Sequence, residues 1–178
     1  MSRCDNRGHR DSAAVTAADL RISGELCIEP AAPTDAALLH GIAERCFSSP
    51  WSEVTFASML GECGCAFYIA RSGGSAVGFC AVRAASDEGE LLDIAVLPEH
   101  RRGGIGTALL GAGLAYLRDA GTERIFLEVR VSNSAAQSMY ASCGFTACGV
   151  RKRYYSAPTE DAAVMVLDLS DERDRASG

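Results

Sequence analysis

The sequence predicts a mixed α/β protein, one sheet with helices packed on it. Three observations lead there. Residues 90–97, ELLDIAVL, are apolar on both faces, as a central buried strand would be, and Pro98 stops them. Residues 105–120 place Leu109, Leu110, Leu114 and Leu117 at helical spacing, directly behind a run of glycines. Short alternating runs lie on either side of these, so strands dominate with helices interspersed.

Each element can be read in order. Glu25 to Glu29 (ELCIE) alternates as a strand, closed by Pro30. Thr34 to Phe47 reads as a helix with Thr34 as its cap and Leu38, Leu39, Ile42 and Cys46 as its apolar stripe. SSPWS (48–52) breaks it, and a short helix is expected from Ser52 to Leu60. Ala66–Ala70 and Ala76–Val82 flank RSGGS, which predicts a hairpin. After the central strand, the helix from Ile105 to Ala120 ends on Gly121 as its C-cap. Arg124–Val131 reads as a strand and Ser134–Cys143 as a short helix closed by Gly144. Two closing strands follow, near Thr146–Tyr154 and Ala163–Leu169. Residues 1–24 are polar and without period, so a flexible extension is expected there; 170–178 (SDERDRASG) read as a charged, flexible tail. The block between, 25–169, is one domain.

Composition excludes several function classes. At 178 residues the length fits a single domain, and 48% hydrophobic with 22% charged residues is ordinary for a globular chain. Seventeen basic against 23 acidic residues give a net charge of −6, which argues against direct nucleic-acid binding and suits a cationic partner. No apolar run reaches the ~18 residues of a membrane span, and the first residues lack the apolar core of a secretory signal. A cytoplasmic protein with no membrane association is therefore expected. Of eight cysteines, several lie inside apolar runs, as Cys80 does in AVGFCAV, which reads as buried thiols in a reducing compartment. Cys63 and Cys65 are the close pair, and His9, His40 and His100 have no ligand spacing, so no metal is expected.

The segment AVLPEHRRGGIGTALL (95–110) carries the most chemistry. A strand ends, a turn follows, and a helix opens on Gly103, Gly104 and Gly106. Backbone N–H groups at such a helix start favour an anion, with phosphate the natural candidate. A P-loop needs a lysine after the last glycine, and none is present; a dinucleotide fingerprint needs a third glycine where Leu109 stands. The glycines alone also allow a bland reading, in which they only permit tight packing.

Arg101-Arg102-Gly103-Gly104-Ile105-Gly106 fits the Arg/Gln-x-x-Gly-x-Gly/Ala signature of the Gcn5-related N-acetyltransferases and resembles their coenzyme A pyrophosphate loop. The resemblance implies cofactor contacts from Arg101 to Thr107, Ile105 included. It also implies that Ile94, Ala95 and Val96 offer their backbone to the pantetheine arm.

A second constellation is FLEVRVSNSAAQSMYASCGF (126–145). Glu128 falls mid-strand with Phe126 and Arg130 on one face, opposite Ile125, Leu127 and Val129. A carboxylate among apolar neighbours is disposed to take a proton near neutral pH; the alternative is a glutamate paired with Arg130 or Arg151. Asn133 can turn the chain, and Ser134–Gln137 matches a capping box. Tyr140 is a credible acid toward a departing thiolate, or simply a core residue. Taken jointly, Asn133-x-x-Ala136-x-x-x-Tyr140-x-x-x-Gly144-Phe145 resembles the last motif of the same family, in the family's order.

With CFSSPWS upstream and GVRKRYY downstream, residues 25–169 closely resemble the bacterial ribosomal-protein-alanine N-acetyltransferase subfamily. That implies the acyl-CoA N-acyltransferase fold: a mixed, mostly antiparallel central sheet with flanking helices. It implies acetyl-CoA as cosubstrate, Glu128 as general base, Tyr140 as general acid and Asn133 on coenzyme A. Asp93 stands where the resemblance would place an asparagine. The implied reaction is direct acetyl transfer to the N-terminal α-amine of a protein, with a ribosomal N-terminal alanine as target and the Val96 N–H polarising the thioester carbonyl. Two segments are candidates for gripping the peptide: 46–53 with Trp51, and 151–161 with Tyr154, Tyr155, Glu160 and Asp161. Trp51 also reads as a core plug, and the acids as solvated. Arg151-Lys152-Arg153 reads as a surface cluster, or as a contact for the cofactor's nucleotide phosphate or a ribosome. Other amines, a small molecule or a lysine side chain, fit the same chemistry, and a silent acyl-CoA-binding module is the reading from a different class.

Overall fold

The computed structural model describes residues 26–170, so the expected N-terminal extension and all of the expected tail but Ser170 lie outside the described residues. The elements are β1 (Leu26–Pro30), α1 (Ala36–Cys46), α2 (Glu53–Leu60), β2 (Cys65–Ser72), β3 (Ser75–Ala85), β4 (Glu88–Val96), α3 (Ile105–Asp119), β5 (Arg124–Arg130), α4 (Ser134–Ser142), β6 (Thr146–Ser156) and β7 (Thr159–Asp168). Seven strands form one sheet in the order β1-β2-β3-β4-β5-β7-β6. Every neighbouring pair is antiparallel except β4–β5. This is the mixed, mostly antiparallel sheet that the resemblance implies.

The helices cover both faces. Leu109, Leu110, Leu114 and Leu117 of α3 join Val77, Val82, Leu127 and Val129 in one core. On the other face Leu39 and Ile42 of α1 and Phe56 of α2 meet Phe67, Ile69, Phe79 and Ala95. Phe56 is fully buried, with the rings of Trp51, Phe67 and Phe79 within 5.5–6.3 Å of its own. Among the described residues no helix is long and apolar enough to cross a membrane.

Several local expectations shift. The first helix starts later than Thr34, because Pro33–Asp35 form a 3₁₀ turn and the Asp35 carboxylate accepts from the Ala32 N–H at 2.7 Å. Asp35, not Thr34, therefore sits at the helix entrance. Ser52 does cap α2, accepting from the Thr55 N–H. Asn133, not Ser134, caps α4: its Oδ1 accepts from the Ala136 N–H, while Gln137 reaches the carbonyls of Arg130 and Val131. The first closing strand runs on past Tyr154 to Ser156 and the second starts already at Thr159, so the candidate peptide-gripping segment 151–161 is mostly strand and only a tight turn separates β6 from β7.

The pairing that positions the site is the short one. β4 and β5 are joined only over Glu88–Glu90 and Arg124–Phe126. Just beyond, β4 carries a bulge: Val82 faces Leu91 and Ala81 faces Asp93, leaving Leu92 extra. A bulge bends its strand and re-aims the side chains after it. From there the two strands part, and the sheet opens into a gap.

Candidate active site

One wall of the gap is the far half of β4. The Leu97 N–H bonds back to Val77 on β3. Main-chain groups alternate sides along a strand, so those of Val96 and Ile94 point the other way, into the gap. The Val96 carbonyl is held by the Arg101 Nε at 2.8 Å and by the Cys46 thiol at 3.5 Å. The Ile94 N–H is bonded to the Asp93 carboxylate at 3.0 Å. The Val96 N–H is the donor left on this edge.

Below that edge the chain turns into α3. Gly104 is its N-cap with φ +81°, a left-handed conformation that suits glycine, and no side chain caps the helix. The first N–H groups, from Ile105 to Thr107, have no intrahelical acceptor. A Cβ on Gly104 would meet nothing within 4 Å, so the loop is open to an approaching anion. Gly106 differs: a Cβ there would stand 3.0 Å from the Met139 sulfur, so it also lets α4 pack on α3. Arg101 and Arg102 are exposed, Arg102 at a positive φ of 69°. Free helix-start donors, an uncovered backbone and two guanidinium groups fit a pyrophosphate.

The other wall is β5 with the β6–β7 hairpin. The side chain of Glu128 is 11% exposed, and Arg151 meets its Oε1 at 3.0 Å, itself 59% exposed. The sequence expectation of a carboxylate left among apolar neighbours is thus corrected: Glu128 is ion-paired across strands. The Tyr155 hydroxyl donates to the Glu128 carbonyl at 3.3 Å, and Arg130 covers the Tyr155 ring at 4.2 Å. Tyr154 is exposed with Arg151 over its ring. Glu160 and Asp161 are not solvated acids waiting for a peptide. Glu160 accepts from Arg130 and the Ser132 N–H, and Asp161 from Lys152 and the Arg153 N–H. Arg151 and Lys152 pair with Glu128 and Asp161, while all three residues of Arg151-Lys152-Arg153 stay exposed, as a surface cluster would.

Tyr140, on α4, is buried at 5% exposure and packs edge-on against Phe145. Burial, with the neighbouring Cys80, Asp93 and Tyr155, pushes its phenol well above the usual range, so it stays protonated. Trp51 packs on Phe56, and its carbonyl meets His40 Nδ1, which makes the ring part of the core wall. Its loop still touches the gap's other side, because the Ser48 hydroxyl donates to the Ala157 carbonyl at the β6–β7 turn.

Glu128 also lines a cleft of about 360 Å³ with Arg83, Glu90, Phe126 and Arg151. A larger, shallow hollow of about 440 Å³ beside α1 holds no such constellation; its Arg45 and Arg71 pair with Glu99 and Glu29. Among the described residues no group of three or more His, Cys, Asp or Glu could hold a metal ion. The residue that sequence reasoning undervalued is Asp93, half-buried by accessible area yet enclosed at the gap's floor. A lone acid in LLDIAVL was the available signal.

Residues 36–145 match the Acetyltransferase (GNAT) family. The chain belongs to that family. It is 39% identical over 139 residues to the [ribosomal protein bS18]-alanine N-acetyltransferase of Escherichia coli K12, covering 77% of this chain and 93% of the relative. It is 37% identical over 127 residues to an N-alpha-acetyltransferase of Sulfurisphaera tokodaii, covering 64% and 75%. The crystal structure of the ribosomal-protein-S18-alanine N-acetyltransferase from Escherichia coli superposes with a TM-score of 0.75 at 36% identity, over 82% of this chain and 94% of that one. The protein is an acyltransferase with the acyl-CoA N-acyltransferase fold.

Proposed function

We propose that the enzyme transfers the acetyl group of acetyl-coenzyme A to the N-terminal α-amine of a protein, with the N-terminal alanine of a ribosomal protein as target. The observation that carries this reading is the 39% identity to a ribosomal-protein alanine acetyltransferase along 93% of that relative. The work lies in the domain over 25–169, with 1–24 and 170–178 as appendages, and takes place in the cytoplasm.

The bound cosubstrate supplies an activated thioester. The loop Arg101–Thr107 holds the pyrophosphate on the α3 helix start. The Ile94–Val96 edge aligns the pantetheine arm, and the Val96 N–H polarises the thioester carbonyl. Asn133 adds a contact to coenzyme A. Glu128 accepts a proton from the amine nitrogen, and Tyr140 gives one to the leaving thiolate. A free α-amine has a pKa near ~7.7–8, so a modest base suffices. Tyr154 and Tyr155 flank the amine's approach from the β6 side, and the loop that carries Trp51 closes on it from the α1–α2 side.

The test compares an Ala-initiated peptide carrying basic residues, the same peptide with a blocked N-terminus and an internal lysine, and a polyamine. The Ala peptide is expected to be acetylated fastest. A faster blocked peptide or polyamine would overturn the substrate assignment. Glu128→Gln is expected to lower kcat/KM about 10²–10⁴-fold with unchanged acetyl-CoA affinity.

A further inference from the structure

The carboxylates around the gap are paired with cations, with one exception. Glu128 meets Arg151 at 3.0 Å, Glu160 meets Arg130 at 3.0 Å, Asp161 meets Lys152 at 2.7 Å and Glu90 meets Arg83 at 2.6 Å. For Asp93 the hydrogen bond recorded among the described residues is the one from the Ile94 N–H. Titratable groups face it from four elements: Cys46 of α1, Cys80 of β3, Tyr140 of α4 and Tyr155 of β6. None is a cation. Burial first, and the Asp93 charge as well, push each of these thiols and phenols up, so all are neutral at neutral pH. Arg101 bonds the Val96 carbonyl through its Nε and lies beside the Cys46 thiol, and among the described residues it is not paired with Asp93. Enclosure raises the Asp93 carboxyl to about 7.

The placement is as telling as the company. Asp93 follows the β4 bulge, at the point where β4 leaves β5. Its bond to the gap-facing Ile94 N–H shows that the carboxylate reaches the open edge. That same edge carries the Val96 N–H. An enclosed, uncompensated carboxylate is costly, and a bound cation relieves the cost. An ammonium group is the cation that acetyl transfer brings to this place. Glu128 is a poorer first contact for it, because Arg151 already neutralises that carboxylate and repels a second positive charge.

We propose that Asp93 receives the substrate's ammonium group in the gap and takes its first proton, a role that rests on the acetyl-transfer reading above. The Asp93 carboxylate takes one N–H proton, and the freed electron pair forms the N–C bond to the thioester carbonyl carbon. The C–S bond breaks with its pair on sulfur. Glu128 takes the second N–H proton, and the Tyr140 hydroxyl protonates the thiolate. Asp93 then returns its proton to Tyr140, and the proton on Glu128 leaves to solvent. The sum is an ammonium and a thioester giving an amide, a thiol and one released proton. Asparagine at this position can hold the amine by a hydrogen bond but cannot carry the proton.

The experiment uses the full chain and an Ala-initiated basic peptide. Kinetics of wild type, Asp93→Asn and Glu128→Gln are followed from pH 5 to 9, with acetyl-CoA affinity measured by calorimetry. Asp93→Asn is expected to lower kcat/KM by about 10²-fold at neutral pH, to remove one ionisation from the acid limb and to leave acetyl-CoA affinity unchanged. In wild type, the carbon-13 resonance of the Asp93 carboxyl is titrated with and without the peptide, in the presence of free coenzyme A. The peptide is expected to lower its midpoint by at least about one pH unit, as a nearby cation does. An unchanged rate profile in Asp93→Asn overturns the proposal, and so does an unmoved midpoint in wild type. If wild type ignores the peptide but acetylates another amine, the substrate reading fails, and the same comparison on that amine still judges Asp93.

Discussion

The two walls of the gap are made of different material. The β4–α3 wall works through main chain: the Val96 N–H, the free N–H groups at the α3 start and a left-handed Gly104. The β5–β7–β6 wall works through side chains locked in cross-strand pairs, Glu128 with Arg151 and Arg130 with Glu160. On the proposed mechanism the difference separates two tasks. A cosubstrate of fixed shape can be gripped by backbone that a short motif dictates. An amine that must lose protons needs side chains whose ionisation is set by neighbours from distant segments.

The largest effect expected from breaking this division falls on Tyr140. Tyr140→Phe removes the proposed proton source of the thiolate but keeps the ring packed on Phe145. Turnover is expected to fall about 10²–10⁴-fold while acetyl-CoA affinity holds, a contrast read by steady-state kinetics and calorimetry. Because burial holds the wild-type phenol protonated, no alkaline loss of kcat from Tyr140 is expected below about pH 10.

Next comes Asp93, read through stability rather than rate. Its carboxyl is raised by burial to about 7, above its value in the unfolded chain. The folded protein therefore binds the extra proton. The stabilisation is fully present below the ordinary carboxylate range and is lost as pH rises through about 7. The steepest slope for one proton is about 1.4 kcal/mol per pH unit. Asp93→Asn is expected to flatten urea-derived stability between pH 4 and 7, and an unchanged slope would remove Asp93 as its source.

These two walls also mark how far the sequence could be read. The α3 loop was legible because its parts are contiguous: Pro98 ends the strand and Gly104 starts the helix within seven residues of each other. The sheet order was not legible: β7 inserts between β5 and β6, and no local pattern shows which strands will be neighbours. The pairing of Glu128 was open between Arg130 and Arg151, because alternation places both near its face. Tertiary geometry resolves it: Arg130 turns to Glu160 and the Ala157 and Pro158 carbonyls, leaving Arg151 for Glu128. Asp93 was undervalued because the bulge that re-aims it depends on register against β3, which no local pattern shows.

Gly104→Val sharpens the comparison from the main-chain side. A branched side chain at φ +81° costs about 1–2 kcal/mol, and its Cβ meets nothing within 4 Å. Where the free loop relaxes out of that turn, binding has to restore it, so acetyl-CoA affinity is expected to fall, by up to about tenfold for 1.4 kcal/mol. Saturating kcat should stay near wild type. Gly106 is the less clean site, because Met139 would also be displaced.

The smallest expected effect tests whether the side-chain wall is a wall at all. If Arg151 serves only to hold Glu128, Arg151→Ala and Glu128→Gln should not add. The pair is asymmetric, with Glu128 nearly buried and Arg151 mostly in solvent. Solvent screens the guanidinium, so the coupling belongs with partly exposed ion pairs, about 0.2–1 kcal/mol. A double-mutant cycle on chemical stability reads it directly, and added salt should shrink it. A second cycle, on kcat/KM, separates holding from catalysis: once Glu128 is glutamine, Arg151→Ala should change the rate little further. A large residual loss would mean that Arg151 acts on the substrate itself, and the division between the walls would have to be redrawn there.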